Sequence, residues 1–180
     1  MRAGSTVLLT VSVVLLFTVA ACSRKSEVGE IKRVISRYNE LLIWGYRNLN
    51  MNPLQEVATE EQAAKLYHHM AALGEGDARM ESVLKKIDFR EITFEGRNAA
   101  TVKTQEIWDF AHYGIKTGDK QIEEKDFVYE LTYHLKKEDR KWLVEKVTVI
   151  ETSDAAVDKP LAGPSGKDRR GQRTPKGEKK

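Results

Sequence analysis

Apolar residues recur every three or four positions in the first part of the chain after residue 26. Ile31, Ile35, Tyr38 and Leu42 carry this spacing, and further apolar residues widen the stripe. A period close to 3.6 places such residues on one side of an α-helix. The pattern predicts a long amphipathic helix over residues 27–50.

Two more helices are predicted before residue 87. Pro53 ends the first helix, because the residue before a proline avoids the helical region of backbone conformation. Thr59 and Gln62 have the spacing of a capping box, which starts a second helix. That helix runs to residue 73, since Gly74 is a natural stop. A third helix is predicted over 77–86, with Asp77 as its cap.

The hydrophobic period changes to two after residue 86. Strands are predicted over 87–95, 99–113, 127–135 and 142–151, with a Gly96-Arg97-Asn98 turn between the first two. Helices followed by a run of strands indicate an α+β domain. The sequence therefore predicts three N-terminal helices packed on a curved four-stranded antiparallel sheet, spanning residues 27–152.

The N-terminus combines Arg2, an apolar run over 7–19 and the sequence Val19-Ala20-Ala21-Cys22. These are the parts of a secretory signal: a positive start, an apolar stretch and small residues before the cut. The last four residues resemble the lipobox of bacterial lipoprotein precursors. Cys22 is also the only cysteine of the chain. We therefore predict a signal peptide over 1–21, lipidation of Cys22 and a lipidated tether over 22–26.

The lipobox resemblance implies an address as well as a modification. In that family the cysteine thiol carries diacylglycerol and the new N-terminus is acylated, usually by a palmitate-like chain. The bilayer is then a partner through Cys22, and the domain faces the periplasm. Ser23, where an aspartate would favour the inner membrane, favours the outer one. The alternative is a membrane-spanning anchor, but residues 7–21 are shorter than the roughly 20 residues that a span needs.

Charge is distributed unevenly along the chain. Residues 23–157 carry 21 basic and 24 acidic side chains, whereas residues 158–180 carry 8 basic and 3 acidic ones. A nucleic-acid-binding domain would carry its basic surface on the folded part, so this composition argues against one. The segment 153–180 is nearly free of apolar residues and is predicted to be a disordered basic tail. It is either a solvated end or, less favoured, a contact for anionic head groups.

The order of elements resembles the nuclear transport factor 2-like superfamily, whose helices fill a bent sheet to form a cone with a pocket. Closer is the IMS domain family of cyanobacterial and plastid-division proteins. The resemblance lies in FREITFEGRNAATV at 89–102, YEL at 129–131 and WLV at 142–144. It implies the cone-shaped fold and a protein-binding role, since plastid members use this domain to bind a partner. It does not transfer an activity, because function depends on sites and not on folds.

Candidate catalytic residues come from superfamily enzymes that place a carboxylate base and tyrosine donors in an apolar pocket. Here the candidates are Asp109, His112 and Tyr113, with Tyr133 and His134 on the next strand. Strand parity places Asp109 and Tyr113 on one face and His112 on the other. Tyrosine and histidine are also common on strands for packing alone, which is the favoured interpretation.

Other chemistry-bearing residues have structural explanations. His68 and His69 are adjacent on a helix, so they lack the i, i+4 spacing of a zinc-binding pair and are predicted to be surface residues. The three tryptophans, Trp44, Trp108 and Trp142, are predicted in the core or in the lining of a pocket. We expect no metal, no cofactor and no enzymatic activity. The expected function is binding of an envelope protein or small ligand; the alternative is a small hydro-lyase or isomerase that uses Asp109.

Overall fold

The computed structural model describes the backbone of residues 5–152 and the side chains of residues 24–150. It has two α-helices, a short 3₁₀ helix between them and four strands. In chain order these are α1 (Ser5–Asn48), the 3₁₀ helix (Asn52–Glu56), α2 (Glu60–Glu75), β1 (Ala78–Glu95), β2 (Ala99–Gly114), β3 (Lys120–Glu138) and β4 (Lys141–Thr152). The α+β class is confirmed.

Helix α1 buries the stripe that its sequence predicts. Ile31, Ile35 and Tyr38 are almost fully buried, and Tyr46 continues the stripe toward the end of the helix. The helix ends where Leu49 adopts a left-handed φ of 53°. Its apolar face packs on β1 and β4, so α1 crosses the sheet and forms one side of the core.

The beginning of the chain is described only in part. Residues 22–26, predicted as a tether, continue α1 without a break. The side chain of Cys22, residues 1–4 and the predicted tail 153–180 lie outside the described residues, so lipidation and tail disorder stay predictions. Among the described residues, no helix has both the length and the apolar character to cross a bilayer.

The four strands form one antiparallel sheet in the order β1-β2-β3-β4. Every second residue of the central strands faces the helices, so Val102 of β2 and Leu131 and Leu135 of β3 are buried. Val144 of β4 is also buried, and its backbone N–H donates to the carbonyl of Val57 at 2.8 Å. This contact fixes the segment before α2 against the sheet edge and protects part of that edge from other strands.

The predicted third helix over 77–86 is wrong, because these residues open strand β1. Asp77 does not cap a helix: its φ of 57° turns the chain after α2 ends. Ala78 then pairs with Gly114, and Leu84 with Trp108, in the ladder with β2. The alternation of Ala78, Met80, Ser82 and Leu84 on the helix-facing side supplies buried partners that a helix at this position would lack.

Strands β1 and β3 are longer than their apolar pattern predicts. Strand β3 begins at Lys120 and not at residue 127. Its first part is charged, so the apolar pattern does not reveal it, but it pairs with β2. Register shifts interrupt the ladders between Leu84 and Lys86 and between Trp108 and Phe110. Such bulges bend a strand and increase its local twist.

Candidate functional site

A buried carboxylate lies at the centre of the helix-facing side of the sheet. Glu106 of β2 is fully buried and accepts four side-chain hydrogen bonds. Tyr133 Oη lies 2.8 Å, Thr104 Oγ1 3.0 Å and Asn39 Nδ2 3.5 Å from its Oε1. Trp108 Nε1 donates to Oε2 at 2.8 Å. Both carboxylate oxygens are therefore satisfied by donors from α1, β2 and β3.

Burial dominates the electrostatics of this cluster. It raises the pKa of Glu106, and the hydrogen bonds from Tyr133, Trp108, Thr104 and Asn39 only partly oppose it. Burial, and then the nearby carboxyl group, also raise the pKa of Tyr133 well above its usual value. Glu106 has no exposed surface through which a substrate would reach it. The cluster therefore joins α1 to the sheet, and its geometry is that of a structural network.

A second set of buried hydrogen bonds joins the two helices. Gln62 Nε2 of α2 donates to Tyr38 Oη of α1 at 2.7 Å. The ring of Tyr38 packs edge-on against that of Tyr133, with 6.0 Å between centroids. Half of the predicted capping box forms: the Gln62 backbone N–H donates to Thr59 Oγ1, whereas the Thr59 backbone N–H donates to the carbonyl of Val144 and not to the Gln62 side chain. Gln62 therefore fixes α2 to the core.

His69 differs from its prediction as a surface residue, because it is half-buried against α1 and β2. Its Nδ1 shares a hydrogen bond with Tyr46 Oη, while its Nε2 is buried without a hydrogen-bond partner among the described residues. Burial, and then repulsion from His112, lower the pKa of His69. It is therefore neutral near pH 7. Within residues 24–150, no group of three or more acidic, histidine or cysteine side chains could hold a metal ion.

A shallow cleft of about 210 Å³ lies beside the last turn of α1. Its apolar surface comes from Val83, Phe110 and Ala111, and Val83 is 55% exposed. Charged residues surround this surface. They include Arg47, Glu81, Asp109, Glu123 and Lys125.

Asp109 lines this cleft and has a structural role there. Its Oδ1 accepts the backbone N–H of Asp126 at 2.8 Å and lies 3.4 Å from Lys85 Nζ. The hydrogen bond from Asp126, and then the charge of Lys85, lower the pKa of Asp109. A carboxylate with a lowered pKa is a weak base near pH 7, whereas a catalytic base needs a pKa closer to the working pH. Its contacts hold Asp126 where the β2–β3 ladder shifts register between Trp108 and Phe110.

The other candidate residues fall on the faces that strand parity predicts. Tyr113 lines the cleft with Asp109. His112 is buried on the opposite face near His69. The interactions of Asp109 are with Asp126 and Lys85. Trp108 and Trp142 are in the core as predicted, but Trp44 is 44% exposed on α1.

Glu106 is the buried residue that sequence reasoning missed. The available signal was its parity: it alternates with Thr104 and Trp108 on the strand face that contains Val102. A glutamate is almost never fully buried without partners, and its partner Asn39 is 67 residues away. Such a partner is visible only in the fold.

Comparison with known proteins gives the fold alone. No protein family matches the chain, and no curated protein matches it in sequence. Among solved structures, the fold is similar to the crystal structure of the intermembrane space region of the chloroplast protein ARC6. The TM-score is 0.57 and the identity 11%, over 67% of this chain and 93% of that one. This neighbour agrees with the resemblance to plastid-division proteins seen in the sequence. At 11% identity, the likeness between the two chains concerns the fold alone.

Proposed function

We propose that this chain is a lipid-anchored envelope protein whose domain binds a partner and catalyses no reaction. The observation that carries the proposal is the position of its single cysteine, directly after Val19-Ala20-Ala21 at the end of the apolar run. Two or three acyl chains on Cys22 would hold the domain stably, since a single chain gives only marginal binding. The domain would face the periplasm, with Ser23 favouring the outer membrane.

Replacement of Cys22 by serine should abolish lipidation. The wild-type protein from a membrane fraction should have the mass of residues 22–180 plus acyl groups, because lipidation precedes removal of the signal. The Cys22→Ser variant should lack the acyl mass. Intact-mass spectrometry of both proteins checks this expectation. A wild-type protein that keeps residues 1–21 and carries no lipid would contradict it.

The cleft beside Arg47 is our candidate for the partner-binding surface. Its volume of about 210 Å³ is below the roughly 300–1,000 Å³ of typical small-molecule pockets. The apolar surface of Val83, Phe110 and Ala111 inside a charged rim is the common arrangement of a protein-binding patch. These features favour a protein segment over a small ligand. The same role is implied by the resemblance to the IMS domain, whose plastid members bind a partner.

The isomerase alternative receives no support from the site. Asp109 is ion-paired and its pKa is lowered, while the carboxylate with the raised pKa, Glu106, is fully enclosed. A catalytic carboxylate needs both an adjusted pKa and contact with the substrate. Neither residue combines these two properties, so we favour binding without catalysis.

A photo-crosslinking residue at Val83 should give one discrete adduct with an envelope protein in intact cells. Ile150 has the same exposed fraction, 55%, and lies on β4, away from the cleft. It serves as the matched control and should give no adduct. The measurement is the pattern of crosslinked bands after irradiation. Identical patterns at both positions, or no adduct at Val83, would contradict the assignment of the cleft.

A further inference from the structure

We infer that the anchored end of the domain has a second membrane contact, a basic rim that binds the head groups of anionic phospholipids. The basic rim consists of Arg24, Lys25, Arg97, Arg140 and Lys141. It combines the start of the described part of α1 with the two hairpin turns of the sheet. The inference rests on the proposed lipidation of Cys22, which lies two residues before Arg24.

Side-chain contacts bring these three segments together. The guanidinium of Arg24 lies 5.3 Å from the ring centre of Phe94, close to the β1–β2 turn. Lys137, at the end of β3, donates its backbone N–H to the carbonyl of Asn98 in that turn at 2.7 Å. Its Nζ lies 2.6 Å from Glu27 of α1. Both turns therefore lie beside the point where α1 leaves the proposed anchor.

The turns that present the rim are tight. Asp139 and Arg140 both have positive φ angles, 46° and 69°, which is the conformation of a two-residue type I′ hairpin turn. Gly96 supplies a φ of 75° in the other turn. Short turns of these types have few alternative conformations, so Arg97 and Arg140 project from fixed positions.

The five cations of the rim are free to meet an anionic surface. All five are exposed, and none forms an ion pair within the described part of the chain. The nearby acids are largely occupied, since Glu27 pairs with Lys137 and Glu138 pairs with Lys136. Glu95 accepts a hydrogen bond from Thr101. Asp139 in the β3–β4 turn and Glu30 of α1 have no ion pair or side-chain hydrogen bond among the described residues.

This concentration of charge contrasts with the rest of the domain. Residues 23–157 carry three more acidic than basic side chains, so a basic end leaves the remainder more acidic. The cleft at the opposite end has Glu81, Asp109, Glu123 and Glu124 among its lining residues. An anionic bilayer would attract the basic rim, whereas its charge would be screened at the opposite end. Each cation near such a surface strengthens attachment about fivefold, the equivalent of roughly 1 kcal/mol.

The test uses the lipidated protein without its signal, with one added cysteine for a fluorescent label. Cys22 is blocked by its lipid, so Asn98→Cys provides a single reactive thiol in the rim. The labelled protein is reconstituted in vesicles of phosphatidylcholine alone or with about 30% phosphatidylglycerol, each containing a spin-labelled lipid quencher. We expect strong quenching only on the anionic vesicles, and its loss as the salt concentration rises from about 0.05 to 0.5 M.

A label at Ile115→Cys, in the turn at the other end of the sheet, controls for nonspecific collapse onto the bilayer. It should show no quenching on either vesicle type. A rim variant with Arg97→Gln, Arg140→Asn and Lys141→Gln should reduce the quenching of the Asn98→Cys label at least tenfold. The asparagine keeps the left-handed turn position accessible.

A matched variant removes three exposed cations elsewhere, by Lys65→Gln, Lys116→Gln and Lys146→Gln. It should leave the quenching unchanged, which separates the position of the charges from their number. Equal quenching on both vesicle types, or equal loss in both triple variants, would overturn the inference. Failure of the protein to float with any vesicle would instead contradict the proposed lipid anchor.

Discussion

Replacement of Glu106 by alanine should lower the free energy of unfolding by about 3–5 kcal/mol. The substitution removes the acceptor for Trp108 Nε1 and Thr104 Oγ1, and both donors are buried. Each donor left without a partner costs about 1–3 kcal/mol, and the removed side chain also leaves a cavity. Tyr133 keeps one partner, because its hydroxyl lies 3.2 Å from Asn39 Oδ1.

The Glu106→Gln variant is the matched control. Its amide oxygen can accept from Trp108, while its NH₂ group donates to the hydroxyl oxygens of Tyr133 and Thr104. We therefore expect a loss of less than about 1.5 kcal/mol. Chemical denaturation of the three proteins measures these differences through the transition midpoints. Equal stability of the alanine and wild-type proteins would show that the cluster contributes nothing to the fold.

The wild-type protein and the Glu106→Gln variant should differ in how their stability depends on pH. Burial raises the pKa of Glu106 in the folded state above its ordinary value of 4.5. The folded protein then retains a proton that the unfolded chain releases. The stabilisation from this group is fully present below about pH 4.5 and is lost as the pH rises through the folded pKa. Denaturation between about pH 4.5 and pH 8 should therefore favour Glu106→Gln increasingly over wild type as the pH increases.

Replacement of Trp142 by alanine should lower the free energy of unfolding by about 3–5 kcal/mol, as for large aromatic residues in well-packed cores. Trp142 is 2% exposed and packs its ring edge-on against Phe94, with 6.2 Å between centroids. Lys137 Nζ lies 5.2 Å from the ring centre, in the geometry of a cation–π contact. Alanine removes both contacts and leaves a large cavity.

Trp142→Phe separates packing from polar contacts. The indole N–H of Trp142 is buried without a hydrogen-bond partner among the described residues, so phenylalanine loses no hydrogen bond. Its cost should stay near 1–2 kcal/mol, from lost volume alone. Thermal or chemical denaturation of both variants gives the comparison. A phenylalanine variant as unstable as the alanine one would mean that the N–H makes an essential contact.

Much of the fold was predictable because its signals are local. The period of Ile31, Ile35 and Tyr38 identified α1, and the pair Thr59 and Gln62 identified the start of α2. The segment 77–86 was misassigned because its strand pairs with residues 107–114, which are distant in sequence. Long-range pairing overrides local preference, and no pattern within ten residues reveals the partner.

The site was less predictable than the fold, for a related reason. Strand parity correctly separated Asp109 and Tyr113 from His112, since parity is a local property. The contacts that determine chemical behaviour are not local: Lys85 and Asp126 lower the pKa of Asp109 from two other strands. Asn39 likewise reaches Glu106 from a helix 67 residues earlier. A charged residue is expected at the surface when only the sequence is known. Glu106 is an exception because the fold brings hydrogen-bond donors around its carboxylate.

The unbroken course of α1 sets the distance between the basic rim and the cleft. From Arg24 to Arg47 the helix rises about 35 Å at 1.5 Å per residue. Arg24 lies next to the proposed anchor, and Arg47 lines the cleft. With the basic rim on the head groups, the continuous helix would hold the cleft up to about 35 Å from the lipid. Under the proposed anchoring, only binding partners that extend this far from the bilayer would meet the cleft.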